Sequence, residues 1–163
     1  MKLRPLAALL PLALALAAAP SLAAECRPDP LADRPLYVRG TMDDWRADDQ
    51  AALHWACDHW EIVGELHGEQ SFKIGDEDWS PDADLGGEGD AQPRTGDAVR
   101  LARKGQALKY HFNGMTRLAV TPAATPEGVP LLTITDLPAD TPRQAPPTTT
   151  LTDPVALSVA FDS

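Results

Sequence analysis

The sequence predicts an all-β fold, an antiparallel β-sandwich of about seven to eight strands. From residue 36 onward, apolar residues recur with a period of two, as on half-buried strands. Turn-forming residues separate the short apolar runs at the spacing that sandwiches show. The 16 prolines suit loops and edge strands, because proline lacks the backbone donor that helices and central strands need.

The first 24 residues have the pattern of a secretory signal peptide. Lys2 and Arg4 precede an apolar run over residues 6–19, and small residues follow at 21–24. The run is shorter than a membrane-spanning helix and is interrupted by proline. We therefore expect a periplasmic or secreted protein that has no membrane span once the signal is removed.

The charge of the remaining chain excludes some partners. Removal of Lys2 and Arg4 leaves 12 basic residues against 24 acidic ones, a net charge of −12. A chain this acidic repels nucleic acid and anionic lipid, so we expect neither as a partner.

Cys26 and Cys57 are the two cysteines of the chain. In an oxidising compartment, a chain with two cysteines is expected to form one disulfide, which would fasten the N-terminal segment to the sandwich. The alternative is a reactive or metal-binding thiol, with His54 and His59 nearby. Zinc sites use three or four ligands at defined spacing, so the sequence favours the disulfide and no metal.

The predicted sandwich spans residues 25–137 as one domain. Asn113-Gly114 and Cys57-Asp58 each lie between apolar runs and predict two hairpin turns, Asn-Gly being a strong hairpin signal. The strand candidates, in order, are Leu36–Arg39, Ala52–Ala56, His59–Leu66, Gln70–Gly75, Ala98–Ala102, Ala107–Phe112, Met115–Val120 and Leu131–Thr135.

Two stretches are predicted to be irregular. Residues 76–95 form a long acidic, glycine-rich loop, a kind of loop that is often functional. Its carboxylates suggest a calcium site, but a solvated loop is favoured because the spacing of a known calcium loop is lacking. Residues 138–163 are predicted to form a Pro/Thr-rich tail, in which Val155–Phe161 has the pattern of a terminal strand.

The four tryptophans divide into two pairs. Trp60 lies on the apolar face of its strand and Trp55 lies in the preceding strand, so both are predicted to pack in the core. Trp45 and Trp79 instead follow acidic residues in loops, where no strand periodicity buries them. Exposed aromatic residues on a rigid scaffold are typical of binding sites. Lys73 points away from its strand's apolar face, six residues before Trp79.

Tryptophan and lysine in this arrangement suit a sugar. A pyranose ring has an apolar face of C–H groups that an indole can cover, and its edge carries hydroxyls that need hydrogen-bond partners. Two indoles with one lysine would therefore make a sugar-binding platform.

Two segments carry motifs of a known family: Leu36 to Trp45 (LYVRGTMDDW) and Ser71 to Trp79 (SFKIGDEDW). Their order and their spacing along the chain also match the family pattern. Together they resemble the glycogen- and starch-binding modules that precede the catalytic barrel in pullulanases, branching enzymes and related amylases. Those modules are early-set immunoglobulin-like sandwiches. The likeness extends over residues 36–136.

The resemblance implies that Trp45, Lys73 and Trp79 bind an α-glucan, the indoles by stacking and the ammonium by hydrogen bonding. Departures from the family pattern keep an alternative open. Asp43-Asp44 and Met42 stand where the family usually has Asn and an aromatic residue, and the single Asn of the chain lies at position 113. The alternative is a structural or protein-binding early-set domain with a degenerate sugar site.

The expected function is therefore non-catalytic binding of starch, glycogen or a maltooligosaccharide, without a cofactor, and with a separate amylolytic enzyme as a second potential partner. A hydrolase is the third hypothesis. The chain is too short for the (β/α)₈ barrel, which needs about 250 residues, and it carries no Gly-x-Ser-x-Gly nucleophile motif.

Overall fold

The computed structural model describes residues 26–32, 34–125 and 128–146. Seven strands form in this part of the chain, with a short 3₁₀ helix at Asp49–Ala51. The strands are β1 (Tyr37–Gly40), β2 (His54–Trp55), β3 (Trp60–Gly75), β4 (Leu85–Gly87), β5 (Ala98–Arg103), β6 (Leu108–Thr121) and β7 (Leu131–Asp136).

All pairings between these strands are antiparallel. The long strands β3 and β6 pair from Trp60↔Val120 to Phe72↔Leu108. The hydrogen-bonded path runs from β3 through β4, β5 and β7 to β6 and so returns to β3, while β1 and β2 lie along the free side of β3. The predicted all-β antiparallel class and the strand number are confirmed.

One continuous core lies inside this folded sheet. Alternate residues of β3 and β6 face it, and Phe72 and Phe112 meet there with ring centroids 5.8 Å apart. Because side chains alternate between faces along a strand, the period of two in the sequence places one apolar set inside. The fully buried core side chains include Leu36, Ile74, Leu101, Leu108, Leu118, Val120, Leu132 and Ile134.

The predicted hairpin turn at Asn113-Gly114 is wrong. Both residues lie within β6, opposite His67 and Leu66 of β3, and Gly114 has a φ of 134°. An Asn-Gly pair favours a turn when its flanking runs pair with each other. Here both flanks pair with β3, so the chain stays extended. The second predicted hairpin, at Cys57-Asp58, is confirmed by the antiparallel pairing of β2 with β3.

The acidic stretch 76–95 is not wholly irregular, because it contains β4. Leu85 is buried in the core, and the glycines beside it let another segment approach closely. A Cβ at Gly86 would lie 2.4 Å from the carbonyl oxygen of Gln106. In a sequence, glycines indicate a loop, whereas the glycines of β4 allow the backbone of residues 105–106 to pack closely against the strand.

The N-terminal segment is fastened to the sandwich by the disulfide between Cys26 and Cys57. The backbone N–H of Arg27 donates to the Cys57 carbonyl at 3.1 Å, and the indole N–H of Trp55 donates to the Arg27 carbonyl at 2.7 Å. A disulfide is consistent with a location outside the cytoplasm.

The start of the predicted tail contacts β3. The backbone N–H of Gln144 donates to the carbonyl of Val63 at 3.0 Å, and Arg143 pairs with Glu65. The predicted signal peptide and the predicted strand Val155–Phe161 lie outside the described residues. Within the described ranges, no helix has the length and apolar character to cross a membrane.

Candidate functional site

A tight turn after β1 carries Trp45. The carboxylate of Asp43 accepts hydrogen bonds from the backbone N–H groups of Gly40 (2.9 Å) and Trp45 (3.0 Å). The same N–H of Trp45 also donates to the Gly40 carbonyl at 2.8 Å. Asp44 and Trp45 both have positive φ, at 55° and 62°. Aspartate at this position closes the turn with its own side chain, as Asx turns do.

A second turn, after β3, carries Trp79. The buried carboxylate of Asp76 accepts a hydrogen bond from the Ser80 backbone N–H at 2.8 Å, and Trp79 has a φ of 56°. The indole packs directly over Gly75, where a Cβ would lie 2.6 Å from two ring carbons. Glycine at the end of β3 therefore makes room for the ring.

Arg39 joins the two turns. Its Nε and Nη2 donate to the Trp45 carbonyl at 2.9 and 2.6 Å, and its Nη1 donates to the carbonyls of Asp76 (2.6 Å) and Glu77 (3.1 Å). Its guanidinium carbon lies 3.9 Å from the ring centroid of Trp79, over one face. The planar fork of arginine suits both the bridging and the stacking.

Arg39 was missed by the sequence reasoning. Its position directly before the Gly-Thr of the first turn is the available signal, but an arginine on a strand ordinarily points to water. In the structure it is 7% exposed, because two turns from distant parts of the chain close over it.

The two indoles lie side by side. The ring centroids of Trp45 and Trp79 are 6.4 Å apart, with 44° between the planes, and both side chains are partly exposed. The Nζ of Lys73 lies 5.6 Å from the Trp79 centroid and forms an ion pair with Asp84. The structure thus brings together the three residues that the sequence singled out, and adds Arg39 and Asp84.

Charge and hydrogen bonding hold the second turn. Burial alone would raise the pKa of the Asp76 carboxyl, but hydrogen bonds from Ser80 and the charge of Arg34 outweigh it and lower that pKa below its ordinary value of 3.8. Arg34 donates to Asp76 at 3.3 Å and to Asp82 at 2.5 Å, and the pKa of Asp82 is lowered chiefly by this bond. Asp76 is therefore ionised at neutral pH.

The other two tryptophans lie elsewhere: Trp60 is buried in the core as predicted, whereas Trp55 is only partly buried and packs against the core. Trp60 is 5% exposed, and its indole N–H donates to Asp29 at 3.0 Å. Trp55 meets it edge to face, with the centroids 4.9 Å apart. Both indole N–H groups are thus bonded within the protein.

The described residues contain no cluster of three or more histidine, cysteine, aspartate or glutamate side chains placed to hold a metal ion. His59 instead contacts Asp58, Glu61 and Arg117. The Trp45–Trp79 pair instead presents apolar ring surface beside the cationic side chains of Arg39 and Lys73.

Comparison with known proteins gives one informative likeness. No protein-family model matches the chain, and no curated protein matches it. The solved structure described as "Ligand induced structure of AmyP-SBD" is similar, with 21% identity and a TM-score of 0.50. The match covers 83% of this chain and all of that one.

The name of the similar structure describes that protein as a starch-binding domain, and the likeness extends over most of this chain. At this level of identity the comparison shows the fold, while the residues of the site rest on the geometry given above.

Proposed function

We propose that this chain is a non-catalytic α-glucan-binding module of an exported protein, and that Trp45, Lys73 and Trp79 form its binding site. The observation that carries this function is the convergence of two partly exposed indoles, 6.4 Å apart, beside a lysine ammonium. The starch-binding description of the similar structure supports the same ligand class.

Stacking supplies the apolar part of the binding. Each indole covers the C–H face of one glucosyl ring and removes apolar surface from water. The planes are inclined by 44°. This inclination suits an α-linked glucan, whose successive rings turn along a curved chain, better than the flat ribbon of a β-1,4-glucan.

Lys73 supplies the polar part. Its ammonium carries three N–H donors, and the ion pair with Asp84 fixes its position beside Trp79. The N–H groups of Lys73 that do not bond to Asp84 are directed to sugar hydroxyls. The side chains of Lys73 and Asp84 are 16% and 17% exposed, so the pair lies mostly within the protein and a ligand reaches only its outer part.

The binding is expected to be weak for a single site. Two stacked rings and a few hydrated hydrogen bonds must offset the ordering of the glucan and its lost freedom of motion. A polymer with many equivalent segments raises the apparent affinity, so the polysaccharide is a better probe than a short oligosaccharide.

Affinity electrophoresis tests the function. In native gels that contain amylopectin or glycogen, the wild-type protein should be retarded relative to a gel without polysaccharide. Trp45→Ala and Trp79→Ala should each reduce the retardation, and the double variant should migrate freely. Leu131→Ala is the control, because Leu131 is an exposed apolar residue on β7, outside the platform.

Free migration of the wild type in both gels would favour a structural or protein-binding domain instead. Equal retardation in a cellulose-derivative gel would contradict the preference for α-linked chains. Retention of glucan binding by the double variant would place the site elsewhere.

A further inference from the structure

A groove separate from the indole platform runs along the free side of β3. Its volume is about 710 Å³, and it lies between the turn after β1 and residues 143–146. Val38, Ile62 and Leu118, all residues of the hydrophobic core, form part of its floor. These three side chains are themselves buried, whereas Met42 and Leu66, which also line the groove, are partly exposed and present apolar surface to an occupant.

The groove also has unmet hydrogen-bonding capacity. Asp43 lines it, and the second oxygen of this carboxylate is buried without a hydrogen-bond partner among the described residues. In that part of the chain, the strand pairings on this side of β3 stop at Glu61 and resume at Phe72. An unpaired strand edge is a template for another strand, and buried polar atoms require partners.

The chain itself begins to use this edge. Gln144 bonds to both the N–H and the C=O of Val63, and Arg143 pairs with Glu65. The described chain ends at Pro146, which lines the groove. The remaining 17 residues therefore start at the groove.

We infer that Val155–Phe161 is the occupant, docking as an added strand within the same molecule. The segment alternates with a period of two: Val155, Leu157, Val159 and Phe161 share one face, and the face between them carries alanine and serine. One apolar face covers the core residues on the floor, and the backbone N–H groups supply donors to the edge and to Asp43.

Length and charge fit this occupant. Residues 147–154 span up to about 26 Å when extended, which is enough to reach the edge of β3 between Val63 and Ser71, whose own backbone groups bond to Gln144 and Thr41. The groove is lined by Asp43, Asp48 and Glu65, the last of which pairs with Arg143, and the segment itself carries no charge. A second copy of this acidic chain would meet like charge instead.

Backbone amide hydrogen exchange on the exported chain ending at Ser163 tests the docking. In the wild type, amides within 155–161 and the Glu65 amide should exchange at least about tenfold more slowly than in an unstructured peptide. Leu157→Asp should abolish this protection, because burial of a leucine side chain shifts such an equilibrium by about tenfold or more. Ser158→Asp is the matched control: it adds the same charge on the opposite face and should keep the protection.

Unprotected amides within 155–161 in the wild type would overturn the docking. Equal loss of protection in Leu157→Asp and Ser158→Asp would also overturn it, since no single face would then be buried. Protection that grows with protein concentration would assign the groove to a second copy, and protection that requires added maltoheptaose would assign it to the glucan. Glucan retardation by the indole platform is measured separately, so either result leaves the proposed function testable.

Discussion

Trp45 and Trp79 both hold a backbone conformation with positive φ, which for bulky residues costs on the order of 1–3 kcal/mol each. Such strain persists only where the surrounding contacts over-determine it. Arg39 supplies those contacts, because one buried guanidinium holds the carbonyls of both turns and stacks on Trp79. The spacing between the indoles therefore depends on a residue that is itself 7% exposed.

Arg39→Lys should weaken glucan retardation strongly and lower the free energy of unfolding by about 1–3 kcal/mol. Lysine lacks the planar fork, so it leaves buried carbonyls of the two turns without donors. Retardation gels and urea unfolding measure the two effects. Arg100→Lys is the control, since Arg100 is exposed and pairs only with Glu88 among the described residues. Unchanged retardation in Arg39→Lys would contradict the role of Arg39 in positioning the indoles.

Gly75→Ala should displace the Trp79 ring and reduce glucan retardation. A Cβ at this position lies 2.6 Å from two ring carbons, closer than atoms can approach, so the indole must move. Gly64→Ala is the matched control in the same strand, because a Cβ there meets no atom within 4 Å. If both variants bind glucan like the wild type, the position of Trp79 does not matter for binding.

The sequence alone indicated Trp45, Lys73 and Trp79, because acidic turns and strand alternation expose them. It did not indicate Arg39 or Asp84. The role of Arg39 arises only when the turn after β1 meets the turn after β3, a contact between positions 37 residues apart. The role of Asp84 arises only when the segment before β4 packs beside Lys73 of β3. Alternation along one strand carries no information about such a contact.

The strand elements were largely predictable, but their continuity was not. The sequence predicts one strand before Gly68 and a second one after it. It likewise predicts one strand before Asn113-Gly114 and another after it. In the structure each pair forms one long strand, β3 and β6, and these two strands pair along 13 positions. Local turn signals favour a break, whereas the extended partner strand provides a ladder that outweighs them.

Replacing both cysteines by serine should lower the free energy of unfolding by about 3–4 kcal/mol. The disulfide closes a loop with a sequence separation of 31, and loops of that size restrict the unfolded chain by about this amount. Guanidinium unfolding of the double variant measures the loss. Glucan retardation should persist at temperatures where the variant remains folded, because Arg27 and Asp29, next to the disulfide, bond to Trp55 and Trp60 rather than to the platform. A decrease in the free energy of unfolding of less than about 1 kcal/mol would contradict a stabilising role for the disulfide.

At the scale of the whole molecule, stability is expected to fall in acid. Asp76 has a folded-state pKa below its ordinary value of 3.8, so the unfolded state takes up its proton first as the pH falls. The stabilisation is present above the ordinary pKa and is lost as the pH drops through the folded value. Glu61, Glu65 and Asp82 have lowered pKa values as well, which adds to the same trend.

Thermal unfolding between pH 6 and about pH 2 measures this dependence. The midpoint should decline below about pH 4, and Asp76→Asn should make the decline shallower while lowering the midpoint at neutral pH. A midpoint that rises as the solution is acidified would contradict the sign derived from these carboxylates.

The four indole N–H resonances provide the most direct measurement of the central claim, that Trp45 and Trp79 bind the glucan. In a titration with maltoheptaose followed by ¹H–¹⁵N correlation spectra, the indole signals of Trp45 and Trp79 should shift in a saturable manner. The signals of Trp55 and Trp60, whose N–H groups bond to Arg27 and Asp29, should stay in place. Shifts confined to Trp55 and Trp60, or four signals unmoved at millimolar maltoheptaose, would contradict the account.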